Sequence, residues 1–114
     1  MIEIIAPRAG GKTTAIMQWL REQGGGTLIV CTVRMANVRR EQLTYKERLN
    51  KTTKVVSYRQ ALNGRLEGTT GPIAIDNVDL IGWTNIIKLG WCFGDRIKAI
   101  TYTDNQSLPL WVEP

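Results

Sequence analysis

The stretch IEIIAPRAGGKTTAIMQWL, residues 2–20, decides the fold, because it joins an apolar run to a glycine-containing turn and then to a periodic segment. Residues 2–6 (IEIIA) have the β-branched, apolar character of a buried strand. Residues 12 to about 23 predict a helix whose apolar face holds Ala15, Ile16, Trp19 and Leu20. The three glycines at 24–26 then end this helix. The sequence therefore predicts a strand, a turn and a helix in immediate succession.

The turn itself has the composition of a phosphate-binding loop. Residues 6–13 read APRAGGKT, which is the pattern G-x-x-x-x-G-K-[ST] with alanine in place of the first glycine. Gly10 and Gly11 let consecutive backbone N–H groups surround a phosphate, and the following helix directs the positive end of its dipole to the same place. Lys12 is then expected to reach the β- and γ-phosphates of a nucleotide, and the Thr13 hydroxyl to ligate Mg²⁺. The alternative is a glycine-rich turn followed by a helix-capping threonine.

A second carboxylate site is predicted in IAIDNVD, residues 73–79. Asp76 directly follows an apolar strand, where burial of the strand would hold its carboxylate in position. A carboxylate placed in this way can hold magnesium through a water molecule. Many buried strands end in aspartate, so Asp76 supports a nucleotide site only in combination with the Lys12 loop.

Strands and helices alternate along the rest of the chain. Further strands are predicted at 27–33, 54–58, 73–76 and 97–103, and further helices at 35–49, 59–66 and 83–93. The tail LPLWVEP, 108–114, could add a last short strand. This alternation is typical of a three-layer α/β domain with a mostly parallel five-stranded sheet, in which ligands bind at the carboxyl ends of the strands.

Composition excludes several classes of protein. With 43% hydrophobic and 22% charged residues over 114 positions, the chain is typical of one soluble globular domain, residues 1–114. We expect it in the cytoplasm without a membrane partner, because no apolar run approaches the roughly 20 residues of a membrane span and no secretory signal is visible. Two cysteines and no histidine exclude the usual zinc sites and histidine-assisted nucleophilic catalysis.

The net charge of +5 is concentrated in one segment. Residues 34–54 contain seven basic and two acidic residues, so this segment carries the whole net charge of the chain. It could contact nucleic acid or an acidic protein partner, or form an ordinary solvated helix face.

Of the four tryptophans, Trp19 is predicted on the apolar face of the first helix, and Trp83 and Trp91 as core or interface anchors. Stacking of these rings on nucleic-acid bases is the alternative.

Taken together, these motifs resemble the small P-loop ATPases of the RecA/helicase division, in particular a minimal first domain of superfamily 1 helicases of the kind that bacteriophages encode. APRAGGKTT (6–14) is similar to their Walker A loop and IAIDNVD (73–79) to Walker B. Weaker similarities are TLIVCTVRMANVRRE (27–41) to motif Ia, KVVSYRQAL (54–62) to the following strand, and IKAITYTDNQ (97–106) to the strand that ends in a phosphate-sensing polar group.

The resemblance implies a RecA-like fold, ATP and Mg²⁺ as cofactors, and, for a phage protein, the host cytoplasm. The residues that it places around the nucleotide are Ala9, Gly10, Gly11, Lys12, Thr13 and Thr14, with Thr13 and Asp76 on the magnesium. It also implies that the strand ending at Thr103 lies between the Lys12-loop strand and the Asp76 strand. Thr103, Asp104 or Asn105 would then face the γ-phosphate.

The chain departs from the helicase pattern at residue 77. Helicases have glutamate directly after the Walker B aspartate, as the base that orients the attacking water, whereas this chain has Asn77. An amide cannot accept that proton, although it can hold a water molecule. Asp79 is the nearest acid that could substitute; the alternative reading is a loop or helix-capping aspartate. The candidate catalytic residues are therefore Lys12, Asp76, Asn77 and Asp79.

Three functions of different classes remain open from the sequence. The first is a Mg²⁺-dependent ATPase, weak by itself or completed by an arginine from a partner or from another copy in a homo-oligomer. The second is a nucleotide-dependent switch without hydrolysis, which Asn77 favours. The third is a basic nucleic-acid-binding or partner-binding module in which the phosphate loop has no role. A nucleotide kinase fits less well, since no acceptor-binding segment is visible.

Overall fold

Five parallel strands form one sheet in the computed structural model, which describes residues 2–6, 11–46 and 53–103. The strands are β1 (Ile2–Ala6), β2 (Gly26–Val30), β3 (Thr53–Ser57), β4 (Ile73–Ile75) and β5 (Ile97–Thr103), in the order β1-β5-β4-β2-β3. The predicted α/β class and the predicted parallel five-stranded sheet are confirmed. The strand predicted for the tail, 108–114, lies outside the described residues.

The position of β5 brings three strand ends together. It pairs with β1 on one side, where Ala6 lies opposite Thr103, and with β4 on the other, where Ile75 lies opposite Ile100. The predicted place of the strand that ends at Thr103, between the other two, is confirmed. Because all strands are parallel, the chain leaves β1, β4 and β5 at the same edge of the sheet.

Helices cover both faces of the sheet. They are α1 (Lys12–Glu22), α2 (Val33–Lys46), α3 (Tyr58–Gln60), which continues as a π-helical segment (Ala61–Arg65), α4 (Val78–Ile81) and α5 (Trp83–Phe93), followed by a single 3₁₀ turn (Gly94–Arg96). In the described part of the chain, none of these helices has the length and apolarity needed to cross a membrane.

Two hydrophobic clusters hold the layers together. The first joins α1 and α2 to the sheet through Ile16, Leu20, Leu28, Val30, Ala36, Val55, Ala74 and Ala99. The second joins the π-helical segment, α4 and α5 to the opposite face through Ile29, Val56, Ala61, Leu66, Ile73, Ile75, Val78, Ile81 and Leu89. Strand side chains alternate between faces, so β2 is buried on both, which explains its continuous apolar sequence.

The glycines at 24–26 end α1 as predicted. Gly24 has φ 83°, and its N–H donates to Arg21 O at 3.0 Å while the N–H of Gly25 donates to Leu20 O at 2.9 Å. These two bonds form a Schellman motif, which requires a left-handed residue after the helix. Gly26 has φ 154°, and a Cβ there would collide with the carbonyl oxygen of Pro72. The tight approach of β2 to the loop before β4 therefore requires glycine.

Capping residues shift the predicted boundaries of two strands. The strand predicted at 27–33 ends at Val30, because the Thr32 hydroxyl accepts a hydrogen bond from the Met35 N–H at 3.1 Å and starts α2. The strand predicted at 54–58 ends at Ser57, which forms a capping box with Gln60. A short helix, α4, forms between β4 and α5, where no helix is predicted from the sequence.

One prediction about the apolar face of the first helix is wrong. Ala15 is exposed, and α1 contacts the core through Ile16 and Leu20, with Trp19 only partly buried against them. Trp83 and Trp91 are predicted as core or interface anchors; with 57% and 81% of their surfaces exposed they lie outside the core, and their role as interface anchors stays a prediction. They lie outside the core because α5 has a second apolar face, and that other face packs on the sheet.

Candidate functional site

A hydrogen bond joins the start of α1 to the end of β4. The Thr13 hydroxyl donates to Asp76 Oδ2 at 2.8 Å, between residues that are 63 positions apart in the sequence. Gly11, with φ 80°, precedes α1 in a left-handed conformation, so that Lys12 and Thr13 form the first turn of the helix. The two residues that the sequence assigns to magnesium are therefore in direct contact.

Asp76 is fully buried and receives three side-chain donors. Its Oδ1 accepts from the Thr101 hydroxyl, while Oδ2 accepts from Thr13 and, at 3.4 Å, from the Asn77 amide. Its backbone N–H donates to Ile29 O at 2.9 Å, which continues the pairing of β4 with β2 by one residue. Burial of a carboxylate is costly unless hydrogen bonds compensate for lost water, and these donors supply that compensation.

Thr101 is a site residue that sequence reasoning missed. It is fully buried in β5, where its hydroxyl donates to Asp76 and accepts the Asn77 N–H at 2.9 Å. Strand alternation is the sequence signal that could have identified Thr101. Side chains two residues apart in a strand share a face, and Thr101 shares with the buried Ala99 the face that packs against α1. A hydroxyl on that buried face needs a partner, and Asp76 is that partner.

Asn77 adopts a left-handed backbone conformation, with φ 54° and ψ 56°. Among the described residues other than glycine, it is the one with a positive φ. Asparagine tolerates this region better than most residues, so the side chain at position 77 suits this backbone conformation. Asn77 is 7% exposed and precedes α4 as its N-terminal cap residue.

Lys12 is buried, with 8% of its surface exposed. Within the described ranges, no hydrogen bond or ion pair holds its ammonium group. A positive side chain at the start of a helix is suited to an anionic ligand, because the helix dipole is also positive there.

Asp79 and Thr103 meet beside this cluster. The Thr103 N–H donates to Asp79 Oδ1 at 3.2 Å, which connects the end of β5 to the first turn of α4. Asn77, not Asp79, is the cap residue of α4, so the predicted capping role of Asp79 is wrong.

The Cys31 thiol lies near Asp79 and donates to Leu80 O at 3.7 Å. Burial, and secondarily the charge of Asp79, raise the pKa of the Cys31 thiol.

The structure thus brings together part of the predicted site. Hydrogen bonds link Thr13, Asp76 and Asn77, Lys12 precedes Thr13 in the first turn of α1, and Thr103 lies at the end of the neighbouring strand β5. Thr14 is exposed in the first turn of α1. The predicted site residues Ala9 and Gly10 lie outside the described residues, as do Asp104 and Asn105.

The basic segment 34–54 is partly used for internal contacts. Arg40 donates to Val55 O at 2.9 Å, which connects α2 to β3, and to Asn37 Oδ1 at 2.7 Å within α2. Lys54 Nζ donates to Arg65 O at 2.6 Å. These two cations have structural roles, so the segment is less available to an external partner than its charge alone indicates.

The residues suited to a metal ion are a hydroxyl and a carboxylate. Thr13 and Asp76 offer hard oxygen donors, which Mg²⁺ prefers, and Mg²⁺ commonly takes one or two protein ligands together with water and substrate phosphates. In the part of the chain that the structure describes, no group of three or more Cys, Asp or Glu side chains could hold a metal by itself. The donor set therefore fits magnesium held jointly with a phosphate ligand.

Comparison with protein-family models, with curated proteins and with solved structures finds no match to this chain.

Proposed function

We propose that this protein is a RecA-like P-loop protein that binds ATP with Mg²⁺ through Lys12, Thr13 and Asp76. The observation that carries the proposal is the 2.8 Å bond between the Thr13 hydroxyl and the Asp76 carboxylate. A Walker A threonine and a Walker B aspartate must meet if they are to share one magnesium ion. The two residues belong to separate motifs of the sequence, and their contact in the structure supports the proposal.

Phosphate binding is supported by the first turn of α1. Lys12 is buried at that turn, and no acidic residue lies in it. Gly11, in a left-handed conformation, precedes the helix, whose first backbone N–H groups have no acceptor within the helix itself. A positive side chain together with a positive helix end favours a polyanion such as a triphosphate.

The magnesium ion would be held by Thr13 and by Asp76, directly or through water. When bound, it would neutralise charge on the β- and γ-phosphates. Thr101 would keep the Asp76 carboxylate in one orientation, since its hydroxyl donates to Oδ1 and leaves Oδ2 toward Thr13. The magnesium site would then be preorganised by the protein.

We propose weak hydrolysis, or hydrolysis completed by a partner. Asn77 can position a water molecule, but its amide cannot take up a proton. Asp79, the other nearby acid, already accepts the Thr103 N–H. The second candidate function is a nucleotide switch without turnover. It is favoured by the left-handed backbone of Asn77, which disfavours a glutamate at this position.

The test is titration of the purified protein with ATP, with and without Mg²⁺, by isothermal calorimetry, beside phosphate release over a range of protein concentrations. Lys12→Ala is expected to lose binding, and Lys98→Ala, which removes an exposed lysine from β5, is the matched control. Absence of Mg-ATP binding in a folded wild-type protein would refute the proposal. Binding without phosphate release would favour the switch, and a rate per chain that rises with concentration would favour an arginine supplied by another copy.

A further inference from the structure

The outward face of α5 is an apolar stripe. Trp83, Ile87 and Trp91 follow one another at intervals of four residues and are 57%, 50% and 81% exposed. The fully buried Leu89 lies on the opposite face of the helix. A contiguous exposed apolar surface that includes two tryptophans is typical of an interaction site.

The order of residues in this stripe is the same in both directions. Tryptophan, three residues, isoleucine, three residues and tryptophan make a pattern that is symmetric about Ile87. In a two-fold interface each contact occurs twice. If a residue of one copy contacts a second residue of the partner, that second residue of the first copy contacts the first residue of the partner. If two α5 helices pack antiparallel about an axis at Ile87, Trp83 of each copy faces Trp91 of the other. The stripe is therefore complementary to itself.

Gly90 provides room for a neighbouring helix. It lies in α5 beside Trp91, and a Cβ built there would meet no atom within 4 Å. Glycine inside a helix costs roughly 1 kcal/mol relative to alanine, and the packing around Gly90 in the described structure does not require it. Close approach of a second helix would explain a glycine at this exposed position.

A pocket beside Trp91 can receive an aromatic side chain. It has a volume of about 590 Å³ and is lined by Tyr58, Arg59, Leu62, Asn63, Asn85, Lys88, Trp91 and Cys92. Arg59 is exposed at its wall, where its guanidinium lies 5.8 Å from the centre of the Tyr58 ring. Tryptophan anchors in pockets dominate many protein interfaces, and an arginine beside such an anchor adds a cation–π contact.

We propose that the outer face of α5 is a two-fold interface between two copies of this chain, with Trp83 of each copy seated beside Trp91 of the other. The three apolar side chains of the stripe expose on the order of 400 Å² per copy. With the pocket walls and rim, the pair reaches roughly the 1,200 Å² at which specific interfaces begin. We therefore expect a dimer that forms at micromolar protein. This proposal does not depend on the nucleotide site.

The charge beside the stripe allows an experiment to distinguish a second copy of the chain from a nucleic-acid strand as the partner. Lys88 lies next to Ile87 and so comes near its own counterpart across the axis, while α5 contains no acidic residue. An apolar contact flanked by like charges does not weaken when salt is added, because salt screens the repulsion. Binding of a nucleic-acid strand would instead weaken steeply with salt.

The first experiment is sedimentation equilibrium across the micromolar range at low and high salt. The mass is expected to rise from one chain to two, with dimerisation undiminished at high salt. Trp91→Gln is expected to weaken dimerisation by about 30-fold or more. Val38→Gln, which alters an exposed apolar residue on α2, is expected to leave dimerisation unchanged. A wild-type protein that stays monomeric overturns the proposal. So does Trp fluorescence quenched by a single-stranded oligonucleotide in a salt-sensitive manner without dimerisation.

The second experiment tests the symmetry by disulfide crosslinking in a Cys92→Ser background. Ile87→Cys is expected to form a disulfide-linked dimer, because residue 87 meets its own counterpart near the axis. Trp83→Cys alone is expected to remain uncrosslinked, whereas an equal mixture of Trp83→Cys and Trp91→Cys chains is expected to crosslink. Crosslinking of Trp83→Cys with itself, without crosslinking of Ile87→Cys, would contradict the antiparallel arrangement.

Discussion

The hydroxyl of Thr101 donates a hydrogen bond to the carboxylate of Asp76, although the two residues are 25 positions apart in the sequence. The bond exists because β5 lies beside β4 and places Thr101 level with the residue that follows β4. The same hydroxyl accepts the Asn77 N–H, so one side chain fixes both the carboxylate and the backbone turn after it. Thr101 is thus a positioning residue for the proposed magnesium site.

Replacing this hydroxyl should lower stability. Thr101→Val keeps the shape of the side chain but leaves the Asn77 N–H without its acceptor and removes one donor from the buried carboxylate. We expect a loss of about 1–3 kcal/mol in the free energy of unfolding, measured by urea denaturation. Thr101→Ser should recover most of it, and Thr84→Val, at an exposed position of α5, should change little. Equal effects of the variants at 101 and 84 would contradict this role.

Removing the charge of Asp76 should abolish the effect of magnesium on the affinity for ATP. Asp76→Asn retains the size of the side chain but replaces one acceptor oxygen by an NH₂ donor, and an amide is a poor magnesium ligand. We expect the affinity for ATP in the presence of Mg²⁺ to fall to near its value without Mg²⁺, measured by calorimetric titration. Asp95→Asn, which alters an exposed aspartate, serves as the control. An unchanged magnesium dependence in Asp76→Asn would place the metal elsewhere.

The left-handed conformation of Asn77 predicts an order of stability among its variants. Asn77→Glu should cost roughly 1–2 kcal/mol, because a left-handed backbone is unfavourable for residues with a larger side chain. Asn77→Gly should cost less, since glycine adopts this conformation freely and the side-chain bond that it loses is long, at 3.4 Å. Asn63→Glu, at an exposed residue with φ −92°, is the control. Thermal unfolding would show the order, and a glutamate variant as stable as wild type would contradict it.

Arg40 should contribute to stability more than to ligand binding. Arg40→Ala removes the bond to Val55 O, which connects α2 to β3, and the bond to Asn37 Oδ1 within α2. We expect a loss of about 1–2 kcal/mol in the free energy of unfolding. Arg34→Ala, at an exposed position of the same helix, should stay within about 0.5 kcal/mol of wild type. If chemical denaturation shows equal stabilities for the two variants, the bonds of Arg40 have no net structural value.

The pKa of the Cys31 thiol should respond to Asp79. Burial raises this pKa most, and the negative charge of Asp79 raises it further by disfavouring the thiolate. Asp79→Asn should lower the pKa, which increases the thiolate fraction at any pH below it and speeds alkylation. The measurement is the rate of iodoacetamide labelling against pH in a Cys92→Ser background. A labelling profile that does not move toward lower pH would exclude the effect of Asp79.

Local patterns in the sequence determined most of the elements of this fold. The apolar runs at β1, β2 and β5 and the periodic segment of α1 predict their own conformations, because strand and helix spacing depend on residues close in the chain. The glycines at 24–26 ended α1 where expected for the same local reason. The strand–loop–helix around Lys12 and the aspartate after β4 were likewise evident from the sequence.

Tertiary structure decided which of two apolar faces of α5 is buried. Ile86, Leu89 and Phe93 contribute to the core, whereas Trp83, Ile87 and Trp91 point outward, and both sets have helical spacing. Helical periodicity indicates that a face is apolar, but it does not indicate which of two apolar faces packs against the sheet. The role of Thr101 depended in the same way on which strand neighbours β4. Contacts between residues 24 to 63 positions apart follow from strand order and register, and no pattern within a single element contains that information.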